Sequence, residues 1–441
     1  MTHTIGMISL GCAKNQVNAE HMLWLLRQAG YEISPDPDGA ELVIVNTCGF
    51  IESAKTEAID NILAMAQLKA EGRIQKILVT GCLAQRYQEE ILQEMPEVDG
   101  VLGTGSYFDV ANAVGQVLSG KRYKRFDDIN ADQSEDGRIL TTPEYYAYLK
   151  IAEGCDNHCA YCIIPKLRGK LRSRPIEELV KEAEQLASDG VKELIVVAQD
   201  PSRYGLDLYG ERKLAELLRQ LCRIDGFVWI RVHYLYPDEM SQELIDVLAN
   251  EPKIVKYLDI PIQHANDTIL KRMRRRTSNA DLVKIITHLR ERIPDITLRT
   301  TLICGFPGET QEMHEELMQF INDMEFDRLG AFTYSPEEGT PAAEFTNQVD
   351  ENLKKDWQAD VMELQEEIIF DKNETMKGRE LYVFIEGKVS DENAYVGRTY
   401  RDAPDVDGYI FINTDEELMT GDISKVRVTG AYEYDLIGEL I

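Results

Sequence analysis

The 441-residue sequence predicts an α/β chain in three parts: an N-terminal open parallel sheet, a central partial (β/α)6 barrel, and a small C-terminal antiparallel β-barrel. Three observations carry this. Residues 1 to 120 alternate short apolar runs with helical patterns, six further strand candidates separated by helix-length segments follow from about residue 145, and the texture turns all-β after Gly378. The length exceeds what one hydrophobic core usually organises, so more than one domain is expected. The predicted boundaries are 1–120, a linker at 121–143, 144–374 and 375–441.

In the first part "TIGMISL", "AEHMLWLLRQAG", "ELVIVNTC", "KTEAIDNILAMAQLKAEG" and "KILVTGC" succeed one another. Strict strand and helix alternation implies parallel strands joined by crossover helices. "GKRYKRFDDINADQSEDGR" breaks the pattern with charge, Asn, Ser and Gly, and reads as a solvated linker. The barrel strands are "AYLKIAEG", "ELIVVAQD", "FVWIRVHYL", "IVKYLDIPIQ", "DITLRTTLICG" and "RLGAFTYSP". The helix after the first has Pro175 at its start, Glu177 and Glu178 complementing its dipole, and an apolar face of Ile176, Leu179, Val180, Ala183, Leu186 and Ala187. Gly190 ends it. Leu353, Trp357, Val361, Leu364 and Ile368 recur at helical spacing and predict a packing helix. "ELYVFIEG", "GYIFINT" and "KVRVTGAYEYDLIGEL" then supply the strands of a small barrel.

No window approaches eighteen consecutive apolar residues, and the first residues lack a basic leader, so a cytoplasmic protein without a membrane partner is expected. That compartment is reducing, and its clustered cysteines are better read as metal ligands or redox groups than as disulfides. The formal charge is -29. Such a surface repels phosphate backbones and suits a basic protein client, unless the acidity serves solubility alone.

"IAEGCDNHCAYCIIP" places Cys155, Cys159 and Cys162 in one loop just beyond the first barrel strand. A structural zinc site would want a fourth tight ligand, commonly from a second C-x-x-C pair, and none follows. Three thiolates can instead hold three irons of a 4Fe-4S cluster and leave the fourth iron open. Cys12, Cys48 and Cys82 each sit just past a predicted parallel strand. Strand C-termini of an open α/β sheet share one edge, so these three could converge as a second ligand set; three isolated buried thiols are the alternative. Cys222 and Cys304 read as core thiols, His158 as a solvated loop residue, "LKRMRRRTS" as a solvated charge run, and "CGFPGET" as a tight turn near a cofactor.

The C-x-x-x-C-x-x-C spacing with Tyr161 before its last cysteine resembles the radical S-adenosylmethionine superfamily. With "GCAKNQVNAE" and both cysteine triplets, the whole chain resembles the methylthiotransferases, radical enzymes that insert sulfur into a C–H bond and deliver it methylated. The resemblance implies a radical core, a C-terminal TRAM barrel of OB-like type, two 4Fe-4S clusters on the six cysteines, S-adenosylmethionine, and an electron donor such as flavodoxin or ferredoxin. One cofactor molecule would methylate sulfur at the auxiliary cluster and another would be cleaved at the radical cluster. Tyr161 is implied to contact the cofactor, and strand-end Gln199, Gln263 and Arg299 are expected to face it from barrel geometry.

"HYLYPDEM", "DIPIQHANDTILKRMRRRT" and "RTYRDAPDVDGYIFI" resemble the RimO type within that family. That type acts on the β-carbon of an aspartate in small-subunit ribosomal protein S twelve, free or on the subunit. The MiaB type, which modifies a transfer-RNA adenosine, usually carries a basic terminal barrel. Residues 375–441 hold seven Lys and Arg against fourteen Asp and Glu, a net of -7, a poor match for direct nucleic-acid binding. A non-enzymatic iron–sulfur sensor on the ribosome is the alternative from another class. Asp402, Asp405 and Asp407 in "YRDAPDVDGY" are expected to form an exposed turn that recognises the basic partner.

Overall fold

The computed structural model describes residues 3–131, 135, 137–390 and 393–441. Its first sheet contains β1 (Thr4–Ser9), β2 (Glu32–Ser34), β3 (Leu42–Thr47), β4 (Lys76–Gly81), β5 (Gly100–Leu102) and β6 (Tyr123–Arg125), in the order β2-β1-β3-β4-β5-β6. All neighbours are parallel. The central strand β3 is buried at every position because helices cover both faces of the sheet. Strand β6 falls inside the stretch expected to be linker. The correction has a local cause: "YKR" is too polar and short to read as a strand, yet its backbone completes the edge beside β5. Residues 132–134 and 136 of that stretch lie outside the described residues.

The second sheet begins with β7 (Tyr146–Lys150). A two-stranded ribbon of β8 (Ala152–Glu153) and β9 (Arg172–Ser173) closes off the cysteine loop. The sheet continues with β10 (Glu193–Val197), β11 (Trp229–Val232), β12 (Ile254–Asp259), β13 (Thr297–Cys304) and β14 (Arg328–Thr333), in parallel sequential order β7-β10-β11-β12-β13-β14. Helix 176–188 packs Ile176, Leu179, Ala183 and Leu186 onto it, with Pro175 as its N-cap. The helix Glu351–Glu374 covers the far edge. Its buried stripe is Lys354, Trp357, Val361, Gln365 and Ile369, displaced from the expected apolar stripe so that Leu353 is exposed. Lys354 Nζ and Gln365 Nε2 donate there to the carbonyls of Tyr334 and Phe326.

The last domain is a closed barrel of β15 (Glu380–Lys388), β16 (Ala394–Thr399), β17 (Ile410–Asn413), β18 (Ile423–Tyr432) and β19 (Asp435–Leu440), in the order β15-β16-β17-β19-β18. Four strand pairs are antiparallel and β17 with β19 is parallel. Closure leaves no free sheet edge.

The turn after β16 is not the exposed projection expected from its carboxylates. Asp402 is 1% exposed and accepts from Arg328 Nε at 2.9 Å. Asp407 accepts from the Tyr257 hydroxyl at 2.7 Å and from Arg299 Nε at 3.2 Å. Asp405 alone stays at the surface, 3.3 Å from the Tyr146 hydroxyl. The turn therefore enters the interior of the (β/α)6 barrel near the N-terminal ends of its strands. Arg398 of β16 joins it there by reaching the Glu193 and Glu386 carboxylates. Buried cations on the barrel strands draw these acids inward, since an unpaired buried guanidinium costs several kcal/mol.

Candidate functional site

At the opposite, C-terminal ends of the barrel strands lies the loop that follows β7. Cys155 and Cys159 are buried and Cys162 half-buried. The Asn157 amide donates to Cys155 Sγ at 3.4 Å, and the Asn157 side chain is held by Asp200, just past β10, at 2.6 Å. Tyr236, from the loop beyond β11, puts its hydroxyl 3.1 Å from Cys159 Sγ. Arg275 stacks on the Tyr236 ring at 4.2 Å and anchors to the Pro261 carbonyl at 2.8 Å. Desolvation pushes the Cys155 thiol up to about 11, and desolvation together with Cys159 raises Cys162. Such thiols surrender their protons to a metal, so loading is coupled to proton release.

Arg275 belongs to the arginine run expected to be solvated. That expectation fails for buried Arg275 and for half-buried Arg272, whose Nε reaches the Pro307 carbonyl at 2.9 Å, and holds for Lys271, Arg274 and Arg276, which are exposed although Arg276 pairs with Asp238 and Glu239. "CGFPGET" is a tight turn whose Glu309 carboxylate accepts from the Gly305 and Phe306 amides and faces His264 at 3.2 Å.

The second set of thiols comes from three strand ends. Cys12 caps the helix Ala13–Gln28, Cys48 follows β3, and Cys82 opens a short helix after β4. The strand ends that carry them approach closely: a Cβ added to Gly11, whose φ is +88°, would lie 2.7 Å from Cys48 Cβ and 3.0 Å from its Sγ. Gly81 has φ +93°, and a Cβ there would strike the Thr47 carbonyl at 2.4 Å. Only glycine lets the backbones approach so closely in this left-handed conformation. Desolvation, with Cys82 and Cys12 adding to it, pushes Cys48 up to about 11. For Cys12 desolvation opposes ionisation, yet the charges of Lys14 and Arg168 hold its thiol below the ordinary value.

Among the described residues no three Cys, His, Asp or Glu side chains draw together tightly enough to hold a single ion. A polynuclear cluster, several ångströms across, asks for thiolates set wider apart, as thiols grouped around a loop or along a sheet edge can be.

Of the other expected cofactor contacts, Tyr161, inside the cysteine loop, packs against the apolar group that includes Ala160 and Phe306. Gln199 donates to Glu153 at 2.7 Å, and its Oε1 is buried without a partner, an acceptor left for a ligand. Gln263 adopts φ +70°, its backbone bridged to β13. Arg299 is committed to Asp259 at 3.1 Å and to Asp407, on the terminal-barrel side of the interior. Its guanidinium therefore braces two domains where strand-end geometry predicts a cofactor contact. Sequence reasoning missed Asn157, Arg168, Asp200, Tyr236 and Arg275. The strand-end rule that selected Gln199 also covers Asp200 and Tyr236, whereas Arg168 and Arg275 carried no signal beyond lying in basic runs.

The Radical SAM superfamily model matches residues 149–321, the TRAM domain model residues 378–441, and "Uncharacterized protein family UPF0004" residues 4–103. "Ribosomal protein uS12 methylthiotransferase RimO" of Lachnoclostridium phytofermentans is 55% identical over 98% of this chain and 99% of that protein. The protein of the same name from Clostridioides difficile is 47% identical over 99% and 98%. This chain belongs to the RimO methylthiotransferase family. A solved radical S-adenosylmethionine methyltransferase, TsrM from Kitasatospora setae, shares the fold with a TM-score of 0.55 and 14% identity over 78% of this chain and 77% of its own. For a RimO family member with a radical SAM core, a 4Fe-4S cluster and S-adenosylmethionine are implied. The loop of Cys155, Cys159 and Cys162 fits that cluster, with its thiols buried or half-buried and an unpartnered glutamine oxygen at its border.

Proposed function

We propose that this chain methylthiolates the β-carbon of an aspartate in ribosomal protein uS12, working in the cytoplasm with a flavodoxin or ferredoxin as electron donor. The reading is carried by identity of about half across the full length of relatives named for that activity. Cys155, Cys159 and Cys162 would hold the radical cluster, and Cys12, Cys48 and Cys82 an auxiliary one. Bound together, cluster and S-adenosylmethionine supply a radical able to remove hydrogen from an unactivated carbon.

The chain's own residues do the rest. Tyr236 offers a hydrogen bond to Cys159, Arg275 braces Tyr236 from behind, and Gln199 Oε1 awaits a donor from the cofactor. The N-terminal domain is tied to this end of the barrel: Arg86 reaches Glu337 at 2.7 Å and Lys55 reaches it at 3.2 Å, and Cys82 packs with Ile163 and Leu167, just past Cys162. Holding two reacting centres in fixed relation is where positioning contributes most to rate. The terminal barrel's net charge of -7 suits a basic protein client and disfavours RNA.

The test is mass spectrometry of uS12 from cells lacking this gene, with and without a plasmid copy. Loss of a methylthio mass from one aspartate, restored by the copy, supports the reading. An unmodified pattern shared by both strains, with the same modification missing from transfer RNA, would overturn it in favour of the MiaB type.

A further inference from the structure

Arg168 stands where the two cysteine sites meet. It ends the helix Ile164–Arg168, six residues beyond Cys162, and is 3% exposed. Its Nε donates to Cys82 Sγ at 3.3 Å, its Nη2 to Asn15 Oδ1 at 2.8 Å, and its Nη1 to Glu153 Oε2 at 3.3 Å. Asn15 is itself fixed, donating to the carbonyls of Leu10 at 2.8 Å and Thr47 at 3.3 Å, each within two residues of a cysteine of the strand-end set. Glu153 cannot neutralise the guanidinium alone, because it also meets Lys150 Nζ at 3.0 Å. Leu167 and Ile163 pack directly on Cys82, which keeps water from this contact.

We infer that Arg168 is a positioning residue of the auxiliary centre, one whose buried positive charge beside the Cys82 sulfur raises that cluster's reduction potential and locks it to the radical loop. The inference rests on the proposal that Cys12, Cys48 and Cys82 hold a cluster. The physics is direct: reduction adds one negative charge, and a hydrogen-bonded guanidinium in a dry setting stabilises the more negative state. A structural strut alone would tie the two loops together but leave the potential unmoved. Glu153 opposes the effect, so removing its charge should shift the balance the other way.

The experiment is a potentiometric titration followed by electron paramagnetic resonance, on reconstituted protein carrying Cys155→Ala, Cys159→Ala and Cys162→Ala so that only the auxiliary centre responds. Arg168→Gln should change the oxidised-to-reduced ratio at a fixed potential about tenfold toward oxidised, ~59 mV for a one-electron couple. Arg168→Lys should recover most of that shift, and Glu153→Gln should move the midpoint upward. If the background protein binds no iron, the auxiliary-cluster reading itself fails. If it binds iron and both Arg168→Gln and Glu153→Gln titrate with the parent, the role of Arg168 is overturned. Should Arg168→Gln shed its iron, an unmoved midpoint in Glu153→Gln overturns it equally.

Discussion

The two cysteine sets proposed as cluster ligands are built in opposite ways. Cys155, Cys159 and Cys162 sit within eight residues of one loop, so their chemistry is written locally and the barrel only has to present it. Cys12, Cys48 and Cys82 are 36 and 34 residues apart, and meet only because β1, β3 and β4 lie parallel and in register. The first site belongs to a segment; the second belongs to a fold. A site of the second kind is sensitive to backbone changes that never touch a ligand, and forms no earlier than the sheet itself.

The largest expected effect separates the two outright. Replacing Cys155, Cys159 and Cys162 by Ala should abolish reductive cleavage of S-adenosylmethionine, whereas the triple Ala variant of Cys12, Cys48 and Cys82 should keep cleavage, lose about half the iron and make no methylthiolated product. Quantifying 5′-deoxyadenosine and iron per chain checks this, and equal product from the second variant and the parent would break the comparison. Gly81→Ala tests dependence on the fold without removing a thiol. Its Cβ would sit 2.4 Å from a backbone carbonyl in a left-handed conformation, so the auxiliary iron should be lost while the radical loop still cleaves cofactor.

The interdomain contacts give smaller effects. Asp402→Asn leaves Arg328 buried without its counter-ion and should cost about 3 kcal/mol in urea denaturation. An acid titration reads Glu153, the link between the sites. Desolvation would raise its carboxyl, but Lys150 and Arg168 outweigh it and hold it at about 2. A depressed folded value means stability is present above the unfolded value near 4.5 and is lost as pH falls from there toward 2. The loss should be about 3 kcal/mol, and absent in Glu153→Gln. Asp405→Asn, at the surface of the same turn as Asp402, should change stability by less than about 0.5 kcal/mol.

Most strands were legible because each barrel strand is a compact apolar run between turn residues, and the two cysteine sets were legible because one is dense and the other follows strands. What the residues could not announce were partners distant in sequence. Asp402 and Asp407 read as an exposed acidic turn because Arg328, Tyr257 and Arg299, which bury them, lie 74, 150 and 108 residues away. Arg275 and Arg168 sat in basic runs whose bland reading is solvent, and only the folded loops showed what they cover. Lys354 and Gln365 line the buried face of helix 351–374 because carbonyls at strand ends accept from them, a match invisible to apolar spacing.

The turn of Asp402 and Asp407 also governs how the chain can be divided. Arg328 of the core pairs with Asp402 of the terminal barrel, Arg398 of the terminal barrel pairs with Glu193 of the core and with Glu386, and Tyr145 reaches across to Glu386 at 2.9 Å. Cutting the gene at the sequence boundary near residue 375 would strip counter-ions from both pieces. The terminal barrel is therefore no interchangeable cassette: grafting it onto another radical core, or expressing the core without it, requires redesigning the floor of the barrel at the same time.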